Sequence, residues 1–267
     1  MQRAAIEVAL LAPLAGLLGA QIVLRRLAFF THGVGAATFP GLVAAGPAGV
    51  PPALAALAVG GAFSALLARI ARAREVADDA ATALLLVAAL AIGVILASDV
   101  FGSGAEVDQL LFGSLLAIGT AELVATAAAL VAVAGAAIAF RRSWIASGFD
   151  PAPQGPNLGA GRTDLGLLAS IVLAVVASLD AVGALLVGSI LVIPAATVRL
   201  FAPSVRALEV GSGLLALFEA LGGLLLAYRL DAPPGAVIAT LGGLLFAACL
   251  AVRVLATRSR LRRAVSG

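Results

Sequence analysis

Apolar runs of about 20 residues succeed one another along almost the whole chain, and that is the length needed to cross roughly 30 Å of hydrocarbon. Inside lipid every backbone N–H and C=O must be satisfied within its own segment, so runs this apolar are helices. Hydrophobic residues make up 62% of the chain and charged residues only 12%, against about 25% charged in a soluble domain. Spans are expected near 5–24, 27–46, 52–70, 82–98, 119–140, 165–181, 182–198, 208–228 and 235–254. Only Ser178, Asp180 and Gly183 divide the sixth from the seventh, so the count is eight or nine. A further apolar piece, Leu110–Ile118, is too short to cross alone. The expected fold is all-α: a polytopic transmembrane bundle forming one domain over residues 1–267.

Orientation follows from arginine, because the chain has no lysine. Arg25 and Arg26 follow the first span, and Arg69, Arg72 and Arg74 the third. Arg141, Arg142 and Arg162 lie between the fifth and sixth, and Arg199 and Arg206 follow the seventh. Arg253, Arg258, Arg260, Arg262 and Arg263 close the chain. In the nine-span arrangement all of these fall on one side, and only Arg3 and Arg229 fall on the other. Excess arginine in short loops marks the cytoplasmic face. The expectation is a multi-pass protein of the bacterial inner membrane, N-terminus outside and C-terminus inside. The isoelectric point near 10.3 needs no nucleic acid, since these arginines meet anionic headgroups of the bilayer.

Several classes of chemistry have no residues to support them. The single cysteine, Cys249, lies in the last apolar run and reads as a small buried hydrophobe. Without lysine there is no phosphate loop, so any ATP hydrolysis belongs to a partner. The first segment has no small-residue cleavage site before Arg25 and reads as a retained span. The longest polar interruption, Ser143 to Asp164, falls on the cytoplasmic side. The opposite loops are short and rich in glycine and proline, so a transporter of this shape would need a separate capture protein.

Specific sites are sought among polar residues inside the spans. His32, the only histidine, lies early in the second span; histidine is a common metal ligand, but position 36, one turn on, is alanine. A packing histidine near the interface is the competing reading. Glu219 is the deepest carboxylate and requires a partner, a proton, a cation or a polar cavity. Asp180 lies at an external junction where water can reach it. Glu122, two residues after Thr120, reads as a helix-start carboxylate, and Glu209, near Arg206, as an interfacial charge. Pro40 and Pro194 interrupt spans and are candidate helix breaks. One short echo, Leu111–Ile118 against Leu186–Ile193, has the form of a repeat remnant.

Four blocks, in order, resemble the membrane permease subunits of zinc- and manganese-type ABC importers. They are Arg25–Phe30 with a small-residue helix ending Phe39-Pro40-Gly41; Leu110–Ile118; Phe149-Asp150, opening the cytoplasmic loop; and Val182–Leu200. Leu230–Gly235 before the last span also fits. The resemblance implies a dimer of permeases, two cytoplasmic ABC ATPase subunits and an external metal-binding protein. It implies no bound cofactor, with a divalent metal as the transported substrate. It also places ATPase docking at Phe149 and Asp150, in a loop where Pro151, Pro153 and Pro156 oppose a long regular helix.

Members similar to this chain carry Asp-x-x-x-His early in the second span. Aligned through Arg26 and Phe39-Pro40-Gly41, those positions are His32 and Ala36 here. His32 keeps a soft ligand, and Glu219 resembles an acidic position in some relatives. Zinc accepts both imidazole and carboxylate, and manganese favours oxygen, so zinc or manganese ranks first and iron next. The rival readings are an ion-coupled secondary carrier relying on Glu219, a non-transporting membrane scaffold, and a hydrolase using Ser189 and His32.

Overall fold

The computed structural model describes residues 2–73, 78–100, 110–148, 162–184 and 186–265. Among them the chain forms α1 (Gln2–Leu24), α2 (Ala28–Ala37), α3 (Phe39–Ala48), α4 (Pro52–Ala73) and α5 (Asp78–Ile95). A π-helical turn (Leu96–Val100) follows, then a 3₁₀ turn (Leu115–Ala117). The second half holds α6 (Thr120–Gly148), α7 (Arg162–Val182), α8 (Val187–Arg199), α9 (Val205–Leu230) and α10 (Pro234–Val265). No strand occurs among the described residues.

Eight spans are long and apolar enough to cross a membrane, with α2 and α3 acting as two halves of one. The seventh expected span, 182–198, corresponds to α8, which has 13 residues. At 1.5 Å per residue it is about 20 Å long, well short of the hydrocarbon thickness. α7 and α8 are separate helices, and α8 carries the chain from Gly183 back to Leu200, whose carbonyl Arg253 of α10 meets at the arginine-rich end.

Pro40 and Pro194 behave differently. Pro40 sits in the first turn of α3, and the chain bends at Thr38, whose hydroxyl donates to the Gly35 carbonyl at 2.6 Å. The N–H groups at this bend bond back to the carbonyls of Val34, Gly35 and Ala36, so the span kinks with its backbone satisfied. Pro194 lies inside α8, which runs through it without a break. A proline removes one backbone donor, and in a tightly packed membrane bundle neighbouring groups tolerate that loss.

Reversal between α7 and α8 rests on Gly183, at φ +87°, in the left-handed region that suits glycine. The segment before α6 packs into the same corner. Ala184 N–H donates to the Leu110 carbonyl at 3.0 Å, and Ser114 N–H to the Asp180 carbonyl at 2.9 Å. The piece Leu110–Ile118 therefore stays at one end of the bundle, covering depth that the short α8 leaves open.

α1, α2–α3 and α7 are largely buried, whereas α5, α6 and α10 turn most of their side chains outward. α1 reaches the centre because Gly16 lies against the backbone of Glu209 and Gly213 on α9, and Gly19 against Leu191 and Ala195 on α8. A Cβ at Gly16 would stand 2.7 Å from the Glu209 carbonyl oxygen. Small residues let membrane helices approach this closely. The outward face of α6 carries Val124, Val131 and Ile138, spaced by whole heptads, an apolar stripe suited to lipid or to a second protein.

Arg25, Arg141 and Arg253 gather at one end. Arg25 pairs with Asp164 at 2.7 Å, and Arg141 with Glu209 at 3.0 Å. Arg253 donates to the Leu200 carbonyl. Glu209 thus takes its ion pair from Arg141 on α6 rather than from nearby Arg206, a partner set by helix packing. Asp108, Phe149 and Asp150 lie outside the described residues.

Candidate functional site

Three groups of ionisable side chains sit among the helices, and one clasp holds the arginine-rich end. His32, on the second turn of α2, is half-buried against α8. A Cβ at Gly188 would meet the His32 Cβ at 3.2 Å and Nδ1 at 3.3 Å, so the glycine lets α8 pack closely against the imidazole. His32 makes no hydrogen bond to a described residue, and Ala36 is fully buried.

Glu219, on α9, is 3% exposed, and its Oε1 has no hydrogen-bond partner among the described residues. Its Oε2 lies over Gly242 of α10, with Ile193 of α8 beside it. His32 and Glu219 are not joined by any hydrogen bond. Their neighbours on α8, Gly188 and Ile193, are five residues apart and point about 140° away from each other around the helix. α8 stands between the two side chains.

The third group centres on Glu7 of α1, which the sequence reading passed over. It is 1% exposed. The Thr126 hydroxyl lies 2.7 Å from Glu7 Oε1 and 3.3 Å from the Ala177 carbonyl, tying α1 to α6 and α7. Glu7 Oε2 is buried without a partner among the described residues. The available signal was position: Glu7 falls inside the first apolar run rather than beside it.

One turn away from Thr126 and Ala177, towards the end opposite the arginine-rich one, stand Glu122 and Asp180. Glu122 Oε2 accepts the Gly119 N–H at 3.0 Å, the helix-start role its position suggests. Asp180 is exposed, in keeping with its reading as a wet junction residue. Both line a cavity of about 160 Å³ whose walls also include Leu42, Pro52, Ser114 and Ala117. No group of three histidine, cysteine, aspartate or glutamate side chains among the described residues is close enough to hold one metal ion in this conformation.

At the opposite end, Arg25 reaches across from the α1–α2 turn. Its guanidinium donates to Asp164 Oδ1 at 2.7 Å and to the Trp144 carbonyl at 3.2 Å. The Trp144 indole N–H donates to the Thr163 carbonyl at 3.0 Å, and Phe140 stacks on its ring. Trp144 and Asp164 flank the long loop between α6 and α7, so the clasp joins both ends of that loop to the turn that leads into α2.

The chain belongs to the ABC 3 transport family, whose model matches residues 1–253. It is therefore a transporter component, with ATP hydrolysis in a separate subunit. A manganese transport system membrane protein, MntC, from Halalkalibacterium halodurans is 27% identical over 92% of this chain and 85% of its own length. A Thermotoga maritima protein named "Probable metal transport system membrane protein" is 31% identical over 86% of this chain and 81% of its own. The fold matches that of PsaBC from Streptococcus pneumoniae, solved in complex with Fab, with a TM-score of 0.81 at 23% identity, covering 93% of this chain and 90% of that one.

Proposed function

We propose that this chain is the permease of an importer for a divalent metal cation, zinc or manganese first and iron next. It works as a dimer with two cytoplasmic ATPase subunits and an external metal-binding protein. The observation that carries this reading is the family match across residues 1–253, together with relatives named for manganese transport that align over 92% of the chain.

In this reading the arginine-rich end is cytoplasmic, the N-terminus is outside, and the loop opening at Phe149 and Asp150 docks on the ATPase. His32 and Glu219 meet the cation in passing. Because α8 lies between them, they serve as successive contacts along a path rather than as two ligands of one site. The apolar stripe on α6 meets lipid.

The test is uptake into proteoliposomes holding the permease and its ATPase, with the capture protein supplied outside. ATP-dependent accumulation of labelled manganese or zinc is the expected result. Absence of accumulation of manganese, zinc and iron by a complex that hydrolyses ATP would remove the reading.

A further inference from the structure

Glu7 carries an unresolved demand. Its carboxylate is buried in α1, one oxygen is held by the Thr126 hydroxyl, and the other has no partner among the described residues. Ionised, the group would be a buried charge with a bare oxygen; protonated, it could donate through Oε1 to the Thr126 hydroxyl, itself donating to the Ala177 carbonyl, and Oε2 would still have no partner among the described residues. Buried polar groups are normally satisfied, so this one is placed to receive something the chain does not supply.

Its surroundings indicate what. Thr126 lies four residues after Glu122 on α6, and Ala177 three residues before Asp180 on α7. On a helix those intervals put Glu122 and Asp180 one turn above Glu7 on the same faces. Glu7 is within electrostatic reach of both. Asp180 and Glu122 line the 160 Å³ cavity, and α1 packs against the Leu115–Ala117 turn that forms part of its wall. The carboxylates therefore stand at two levels: two at the cavity wall, one a helical turn deeper.

We propose that Glu122, Asp180 and Glu7 form an entry relay for a divalent cation, at the end of the bundle opposite the arginine-rich one, where of the arginines only Arg3 and Arg229 stand. It rests on the importer reading and names residues that reading does not use. Asp180 and Glu122 draw the cation into the cavity, where it exchanges part of its water shell for carboxylate oxygen. Glu7 Oε2, with Oε1 fixed by Thr126, takes the cation one turn further in. Carboxylates and a hydroxyl make a hard-oxygen set, suited to manganese more than to softer ions.

The experiment uses the whole permease–ATPase complex in nanodiscs, with Mn²⁺ alone as the probe. Binding is read by the loss of the free-ion EPR signal, and the thermal shift is recorded in parallel. Wild-type complex is expected to bind Mn²⁺ and to be stabilised by it through mass action. Glu7→Gln keeps an acceptor for the Thr126 hydroxyl, and Asp180→Asn alters an exposed side chain, so both should fold. Each should weaken Mn²⁺ binding at least tenfold and lose the metal-dependent thermal shift. If Mn²⁺ affinity stays within twofold of wild type in Asp180→Asn and in the triple carboxamide variant, while uptake proceeds, the entry relay is wrong and the importer reading stands. A wild-type complex that does not bind Mn²⁺ overturns the relay, and one that also accumulates none of manganese, zinc and iron overturns both.

Discussion

At the scale of single residues, burial separates groups that look alike in the sequence. Glu219 and Glu209 are both glutamates on α9, yet Glu209 has Arg141 and Glu219 has no hydrogen bond to a described residue. A charged acid at the centre of a membrane helix costs about 2.5 kcal/mol or more, so Glu219 is kept neutral or matched to a cation. Glu219→Gln keeps shape and removes only the charge. Uptake per assembled complex should fall several-fold with yield unchanged, and His32→Ala should do the same. Wild-type uptake by both variants and by their double would exclude these side chains from the path. Gly183 makes a different demand. At φ +87°, an added Cβ would run into the Leu111 carbonyl and the Gly113 nitrogen, which are backbone atoms unable to swing aside. Gly183→Ala should cost more than about 2 kcal/mol and lower the unfolding temperature of the detergent-solubilised complex.

At the scale of elements, the Arg25 clasp links three pieces of chain: the α1–α2 turn, the end of α6 and the start of α7. The ion pair is largely shielded, with Arg25 and Asp164 side chains 12% and 15% exposed. Removing one partner leaves the other without its countercharge, and a coupling of about 1–2 kcal/mol is expected for a pair that water still reaches. A double-mutant cycle with Arg25→Ala and Asp164→Asn, read by thermal unfolding, measures it; strictly additive effects would show that the pair contributes nothing. Arg25→Lys should not rescue, because an ammonium group cannot address Asp164 and the Trp144 carbonyl together in the same fork geometry.

At the scale of the molecule, the end-to-end asymmetry of charge predicts a sidedness. In a Cys249→Ala background, a cysteine at position 231 should react with an impermeant thiol reagent from outside intact cells, and one at position 150 should not. Labelling at 150 with protection at 231 would invert the topology. Cysteines placed through residues 149–158 should crosslink to the cognate ATPase. Co-purification of the two subunits without any such crosslink would move the docking surface elsewhere.

Lipid imposes its rules locally, and those rules are readable along the chain. Run length, the need to satisfy every backbone group within a segment, and arginine on alternate gaps were enough to place the spans, to gather the arginines on one side of the bundle, and to give Glu122 its helix-start role. The break between α7 and α8 was visible because glycine beside polar residues is a local signal. Contacts between distant segments were not readable in this way. Glu7 falls inside the first run, and packing against Thr126, 119 residues away, is what joins it to α6 and α7. The Asp164 partner of Arg25 is 139 residues distant, and Glu209 passed over its neighbour for Arg141 on another helix. His32 and Glu219 were both legible as candidate metal contacts, while the placement of α8 between them was not. Which spans lie at the centre, and which ionisable groups share a cavity, were decided by the tertiary structure, because helix faces acquire their partners only when helices pack.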